Sequence, residues 1–365
     1  MEIKKISLFN FRNYVEEEIE FQNGVNVLIG SNGQGKTNIL EGINYLITGK
    51  SYRVRNESEL IFLGAKNFYL QALCQVKERL LRLEAYYEPG KKIMKLNQLP
   101  CKRLSDYVGA VNAVFFSPDD LNIIKGGPSE RRRFLDHLLA QIKPGHIYLL
   151  NRYLKIIKQK NTLLKKEKNI EVLKNQIYIW NQQLIEIGSK IILNRALLTE
   201  SLNKFCRPIF KEIFSADYNL DLTYLSLGRK DFNDALRLFP EVLENRLPKE
   251  IERKAVIVGP HRDDLQITIN GRLANSFASQ GQLRAIVLSL KLAEMEIILK
   301  EKDEYPILLL DDVLSELDKQ RQKFLLKYID SQKQTIITVT GIEENVFVKE
   351  KAVYRVVDGN IRREK

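Results

Sequence analysis

The chain opens on short apolar runs broken by turn residues, and one helical pattern interrupts them early. Residues 25–29 form an apolar β run entered through the turn pair Asn23-Gly24. Residues 38–46 follow with helical spacing at Ile39, Ile43 and Leu46. A strand pair is expected at residues 80–87 and 92–96, joined by the turn Glu88-Pro89-Gly90-Lys91. From about residue 130 to 245 glycine becomes scarce and three- and four-residue spacing takes over. Leu149, Tyr153, Ile156, Ile157, Leu163 and Leu164 mark one long helix and residues 177–198 a second, which pair naturally as a helical hairpin. Beyond residue 250 α/β alternation returns. An apolar helix covers about 283–300, a buried strand 307–310 follows Pro306, a further strand covers 335–339, and a closing hairpin turns at Asp358-Gly359-Asn360. No internal repeat or low-complexity linker interrupts the pattern.

Composition narrows the class. With 365 residues, 44% hydrophobic and 28% charged, the chain suits one large domain or two lobes of ordinary globular character. It holds no apolar run of 18 residues, so no membrane span is expected. Its first residues read as a strand rather than a secretion signal. Three cysteines, Cys74, Cys101 and Cys206, lie far from one another and from the three histidines, which argues against a disulfide framework or zinc site and favours a reducing cytoplasm. The net charge of +12 suits either a solvated basic surface or a polyanionic partner such as nucleic acid.

The chemistry begins at Gly30-Ser31-Asn32-Gly33-Gln34-Gly35-Lys36-Thr37, a full G-x-x-x-x-G-K-[ST] phosphate loop between an expected strand and an expected helix. Gly30, Gly33 and Gly35 let backbone N–H groups close around phosphate oxygens. Lys36 supplies positive charge to the β- and γ-phosphates of ATP, and Thr37 offers its hydroxyl to Mg²⁺. A second carboxylate motif, residues 307–310 followed by Asp311 and Asp312, places an acid at the carboxyl end of a buried parallel strand, where ligands sit in open α/β sheets. Asp311 is the expected Mg²⁺ partner, and Asp312 is expected to orient or deprotonate an attacking water. Lys36 and Asp311 are too far apart for one βαβ unit. The nucleotide lobe is therefore expected to combine residues 1–115 and 246–365, with a mainly helical second lobe inserted at 116–245.

Just upstream of that strand, Ser279-Gln280-Gly281-Gln282-Leu283-Arg284 opens the apolar helix. Alone it reads as a helix start capped by Ser279. In this position it resembles the signature motif of ABC-type ATPases, and Ser315-Glu316-Leu317-Asp318 resembles their D-loop. Phe11-Arg12-Asn13-Tyr14 resembles the opening of SMC-like heads. Residues 117–121 and Lys125-Gly126, the run Arg131-Arg132-Arg133-Phe134-Leu135-Asp136, and Gly259-Pro260-His261-Arg262-Asp263-Asp264 resemble the RecF family. The resemblance covers residues 9–341 and implies a P-loop ABC-type head of α/β class with an inserted helical lobe. It further implies an ATP-dependent homodimer in which Ser279, Gly281 and Gln282 of one copy reach the γ-phosphate held by Lys36 of the other. It implies action on single-stranded or duplex DNA, at gaps or stalled forks, with RecO and RecR in loading RecA and in SOS induction. Two departures bear on catalysis. Asp312 stands where such heads usually carry a longer Glu, which predicts slow hydrolysis, and Thr338-Val339-Thr340-Gly341 lacks their switch histidine.

Basic residues outside the loop stay open to two readings. Arg131, Arg132 and Arg133 near a helix start oppose the helix dipole, so they call for an anionic partner, either DNA or Asp136. Lys50, Arg53 and Arg55 face DNA or nucleotide, or solvent. Between 151 and 170, Arg152, Lys155, Lys158, Lys160, Lys165, Lys166 and Lys168 stand against Glu167 alone, either as a solvated face or along a phosphate backbone. His261 either senses the nucleotide or is structural, and Trp180 is expected in the core.

Overall fold

The computed structural model describes residues 1–54, 56–167, 169–330, 334–341 and 351–364. Arg55 and Lys168 lie outside the described residues. The chain divides into two compact units, residues 1–120 with 287–365 and residues 121–286.

The first unit contributes strands β1 (Glu2–Phe11), β2 (Tyr14–Glu20) and β3 (Gly24–Ile29), helix α1 (Lys36–Thr48), and strands β4 (Phe68–Val76), β5 (Arg79–Glu88), β6 (Lys91–Leu96), β7 (Leu99–Pro100) and β8 (Ala113–Phe116). The second follows with helices α2 (Asn122–Lys125), α3 (Pro128–Ile142), α4 (Gly145–Lys166) and α5 (Ile170–Ile213), strand β9 (Leu220–Leu225), helix α6 (Phe232–Arg253), strands β10 (Asp264–Ile269) and β11 (Arg272–Leu273), and helix α7 (Ala274–Phe277). Helix α8 (Gln280–Lys302) runs across the division. The first unit then closes with β12 (Ile307–Asp311), α9 (Val313–Glu316), α10 (Lys319–Asp330), β13 (Gln334–Val339), β14 (Lys351–Val357) and β15 (Asn360–Glu364).

Two sheets build the first unit. One is antiparallel, in the order β2-β1-β4-β5-β6-β7. The other runs β15-β14-β3-β13-β12-β8 and is parallel throughout except for β15. Helix α1 touches strands of both sheets, which explains why nine consecutive residues of it, from Ile39 to Ile47, are buried. Gly42 is one consequence: a Cβ there would stand 3.0 Å from Leu8 Cδ2. Strand β12 is buried at every position, as a strand flanked by parallel neighbours requires. Its register sets Asp311 opposite Thr338, while Val339 stands opposite Ile29, so the carboxyl ends of three strands meet at one edge of the sheet.

The second unit packs the α4–α5 hairpin with α3 and α6 beside a small antiparallel sheet, β11-β10-β9. Pro128 opens α3 at a position whose N–H has no helical partner, and Asn169 and Asp231 cap α5 and α6. Its extent differs from the expected 116–245. Strand β8 pairs with β12 and keeps residues up to 120 in the first unit, whereas β10 pairs with β9 along its whole length and holds residues 246–286 with the helices. Trp180 is half-buried rather than core, beside the exposed Tyr178 and Ile179.

Candidate functional site

The phosphate loop connects β3 to α1 as the sequence predicts. Gly33 and Gly35 adopt φ of 83° and 109°, the left-handed region that glycine enters without steric cost. A Cβ on Gly35 would lie 2.5 Å from the Asn13 amide and 2.6 Å from the Tyr14 hydroxyl, and one on Gly30 would lie 2.3 Å from the Val356 carbonyl. The loop is thus pressed against its surroundings wherever it is not open. Lys36 is buried, and its Nζ donates to the carbonyls of Gly30 (2.6 Å) and Ser31 (2.8 Å). Burial lowers its pKa, with the nearby Asp312 and Asp311 acting in the opposite direction.

Thr37 and Asp311, 274 residues apart, meet here: Thr37 Oγ1 donates to Asp311 Oδ1 at 2.8 Å. Thr338 Oγ1 donates to the same oxygen at 2.9 Å and accepts from the Asp312 N–H at 2.9 Å. Burial raises the Asp311 pKa against the two threonine hydrogen bonds. Asp312 takes a left-handed backbone (φ 51°) as the chain turns from β12 into α9. Burial therefore opposes the charge on both Lys36 and Asp311. Phosphate oxygens beside the amine and a divalent cation beside the carboxylate and hydroxyl would relieve that opposition, so the residues fit Mg²⁺ and ATP.

The Phe11–Tyr14 segment braces this loop. Arg12 donates from Nε and Nη2 to the two carboxylate oxygens of Glu41 on α1, at 2.8 and 2.9 Å. Glu41 is fully buried and also accepts from Ser51 Oγ (2.6 Å). Asn13 Nδ2 donates to the Gln34 carbonyl at 3.2 Å and its Oδ1 accepts from Asn38 at 2.8 Å. Arg53 bonds Asn38 (3.1 Å) and Glu41 (3.4 Å), whereas the exposed Lys50 ammonium has no partner among the described residues.

Ser279, Gly281 and Gln282 belong to the other unit, so the chain does not bring them into the same unit as Lys36. They form the first turn of α8 as a reciprocal cap. Ser279 Oγ accepts from the Gln282 N–H (3.3 Å) while Gln282 Oε1 accepts from the Ser279 N–H (2.8 Å).

The remaining motif residues are wired to one another inside the second unit. Arg131 is buried and donates twice to Asp264 (2.6 and 3.0 Å) and once to the Gly126 carbonyl (2.8 Å). Arg132 Nη1 donates to the Asp263 carbonyl at 2.6 Å. Asp136 receives both Arg195 (2.8 and 2.7 Å) and His146 (2.9 Å), and Arg195 also holds the Pro260 carbonyl. His261 lies between the Tyr153 hydroxyl (2.9 Å) and the Val256 carbonyl (3.3 Å), and burial pushes its pKa down to about 4, so it stays neutral. Of the two readings left open for these arginines, Arg131 meets the internal one, buried on Asp264, while the half-buried Arg132 has one bond to a backbone carbonyl; together they join the arginine run to the Gly259–Asp264 segment. His261 takes the structural role.

Sequence reasoning missed Thr338, Glu41 and Arg195. It also missed Lys291 on α8, which is buried with Asp120 (3.2 Å) and Glu294 (3.4 Å) in the first unit. An ionisable residue inside an apolar stretch was the available signal for Glu41, Arg195 and Lys291.

A family model described as RecF/RecN/SMC N terminal domain matches residues 2–363. The chain is 51% identical over 344 residues to the DNA replication and repair protein RecF of Desulfitobacterium hafniense, with 94% of each chain covered. It is 40% identical over 375 residues to the protein of the same name from Natranaerobius thermophilus, covering 98% of this chain and 97% of that one. Among solved structures, the recombination mediator protein RecF-ATP in the RecFOR pathway superposes with a TM-score of 0.91 at 34% identity, covering 100% of this chain and 97% of that one. An Smc head bound to the C-terminal winged-helix domain of ScpA shares the fold at a TM-score of 0.57 and 18% identity, over 100% and 97% of the two chains.

Proposed function

The chain belongs to the RecF family, and from that premise we propose that it is an ATP-dependent DNA-binding protein of recombinational DNA repair. ATP joins two copies on gapped or duplex DNA, and slow, DNA-stimulated hydrolysis releases them. The observation that carries this reading is the meeting of Thr37 and Asp311 at 2.8 Å beside Lys36, at the carboxyl ends of the parallel strands. RecO and RecR are the partners the RecFOR pathway of the solved relatives suggests, and a cytoplasmic setting goes with this role.

Residues 30–35 would offer backbone N–H groups to the phosphates, and Lys36 would exchange its two loop carbonyls for phosphate oxygens. Thr37 and Asp311 would hold Mg²⁺, which when bound supplies positive charge at the β- and γ-phosphates. Asp312, fixed through its N–H by Thr338, would orient the attacking water. Its side chain is one methylene shorter than Glu, which accounts for slow turnover. Ser279, Gly281 and Gln282 sit at the start of α8, where the helix dipole favours an anion, and Ser279 is exposed. A second copy's nucleotide would be their partner. Lys50 and Arg53 remain the candidate DNA contacts.

The test is ATP turnover against protein concentration, with and without duplex DNA. A steeper-than-linear rise that DNA strengthens, abolished in Lys36→Ala, is expected. A linear, DNA-indifferent rate would remove the second copy from the active site.

A further inference from the structure

The second unit carries a cavity of about 470 Å³ that the nucleotide chemistry does not use. Its walls are aliphatic, with Leu227, Val242 and Ile257 among them, and Arg246, Arg253 and Arg262 stand at its rim. The first two arginines come from α6. Counted at 100° per residue, Val242, Arg246 and Arg253 fall on one face of that helix. All three arginines are exposed, and among the described residues none of their guanidinium groups has a hydrogen bond or ion pair. Two acids also line the cavity, but both are committed elsewhere. Asp264 is held by Arg131 at 2.6 and 3.0 Å, and Asp263 by Tyr224 at 2.5 Å. Arg131 meets the charge of Asp264, which leaves three guanidinium groups against Asp263 alone, so the cavity mouth carries an excess of positive charge.

We propose that this cavity is a docking site for an acidic peptide segment of a partner protein, one that seats an aliphatic side chain between α6 and the 225–228 segment and places carboxylates on Arg246, Arg253 and Arg262. The volume suits a side-chain anchor with its flanking backbone. Guanidinium forks match carboxylates in paired hydrogen bonds. Nucleic acid fits less well. The guanidinium groups could hold phosphates, but among the described residues no aromatic side chain lines the cavity to stack a base, and the aliphatic walls match a side-chain anchor that a phosphate backbone lacks. The site lies wholly within residues 121–286 and does not depend on the ATP reading.

The experiment pans a random dodecapeptide display library on the full chain and on the double variant Arg246→Glu, Arg253→Glu. Circular dichroism and ATP turnover of the variant serve as fold controls, because both arginines are exposed and unpaired. Enrichment on the wild type of sequences with Asp or Glu flanking Leu, Ile or Val, absent on the variant, is expected. Fluorescence anisotropy of the leading peptide should then show an affinity loss of about tenfold or more in the variant and on replacing the aliphatic anchor with Ser. The milder Arg262→Ala should weaken binding in the same direction. No enrichment, enrichment that survives charge reversal, or binding indifferent to the anchor would overturn the proposal. Displacement of the peptide by oligothymidylate, with oligothymidylate binding itself lost in the variant, would assign the cavity to nucleic acid instead.

Discussion

Asp311 accepts two hydrogen bonds on one oxygen, from Thr37 and from Thr338, and the second threonine also receives the Asp312 N–H. Thr338 thereby holds the side chain of one acid and the backbone of the other. Replacing it with Val keeps the shape but leaves the Asp312 N–H without its acceptor, an omission that costs about 1–3 kcal/mol when buried. The expected outcome for Thr338→Val is a fall of about tenfold in ATP turnover, equivalent to about 1.4 kcal/mol in the barrier, with nucleotide affinity nearly unchanged. Thr338→Ser, which restores the hydroxyl, should recover most of the rate. Parallel loss of affinity and rate in both variants would mean Thr338 only holds the fold. The meeting of Thr37 and Asp311 was legible in the sequence because a phosphate loop and an acid ending a buried apolar strand each carry their own pattern. Thr338 was not, since a lone threonine at a strand end carries no pattern and its role comes from the β12–β13 register. Arg131 stayed open between two readings for a related reason: charge in a sequence does not say whether it points inward, as this one does to Asp264.

At the scale of elements, the periodicity that predicted the helical hairpin also held a signal that was passed over. Tyr153, Ile156, Lys160 and Leu164 of α4 are all buried, so Lys160 stands in the apolar stripe rather than with the exposed Arg152, Lys155, Lys158, Lys165 and Lys166. Its ammonium donates to Asn181 of α5 and Glu250 of α6, each at 2.6 Å, and ties three helices together. Lys160 and Glu250 are fully buried. Removing one member of such a pair leaves a buried charge alone, a loss of about 3–5 kcal/mol. Lys160→Met should lower the urea midpoint of the second unit accordingly. Adding Glu250→Gln should recover more than half, because the amide oxygen can still accept from the Ile257 N–H, as Glu250 Oε1 does at 3.0 Å. If the single variant unfolds at the wild-type midpoint, the pair is not a tie between helices.

Across the whole molecule, the two ends of the chain build one unit around an insertion. Strand β3, which feeds the phosphate loop, has β13 and β14 as its neighbours, and both follow residue 286. Gln334 reinforces the join, exchanging hydrogen bonds with the Ile3 N–H (2.7 Å) and carbonyl (2.9 Å), and Tyr354 donates to the Glu20 carbonyl (2.6 Å). The distance between Lys36 and Asp311 made this plan legible in the sequence. The placement of the second crossing at 245 was not correct, because the β9–β10 pairing leaves no trace in helical periodicity. An asymmetry in autonomy follows. Residues 121–286 are contiguous and carry their own helices, sheet and buried ion pairs, so this fragment should show helical circular dichroism and a cooperative thermal transition. Residues 1–120 alone would leave β3 unpaired on both edges and its apolar face uncovered, and should show no cooperative transition. Co-expression with residues 287–365 should restore one. A cooperative melt from residues 1–120 by themselves would show that the antiparallel sheet and α1 suffice as a folding unit, and that the parallel sheet assembles onto them afterwards.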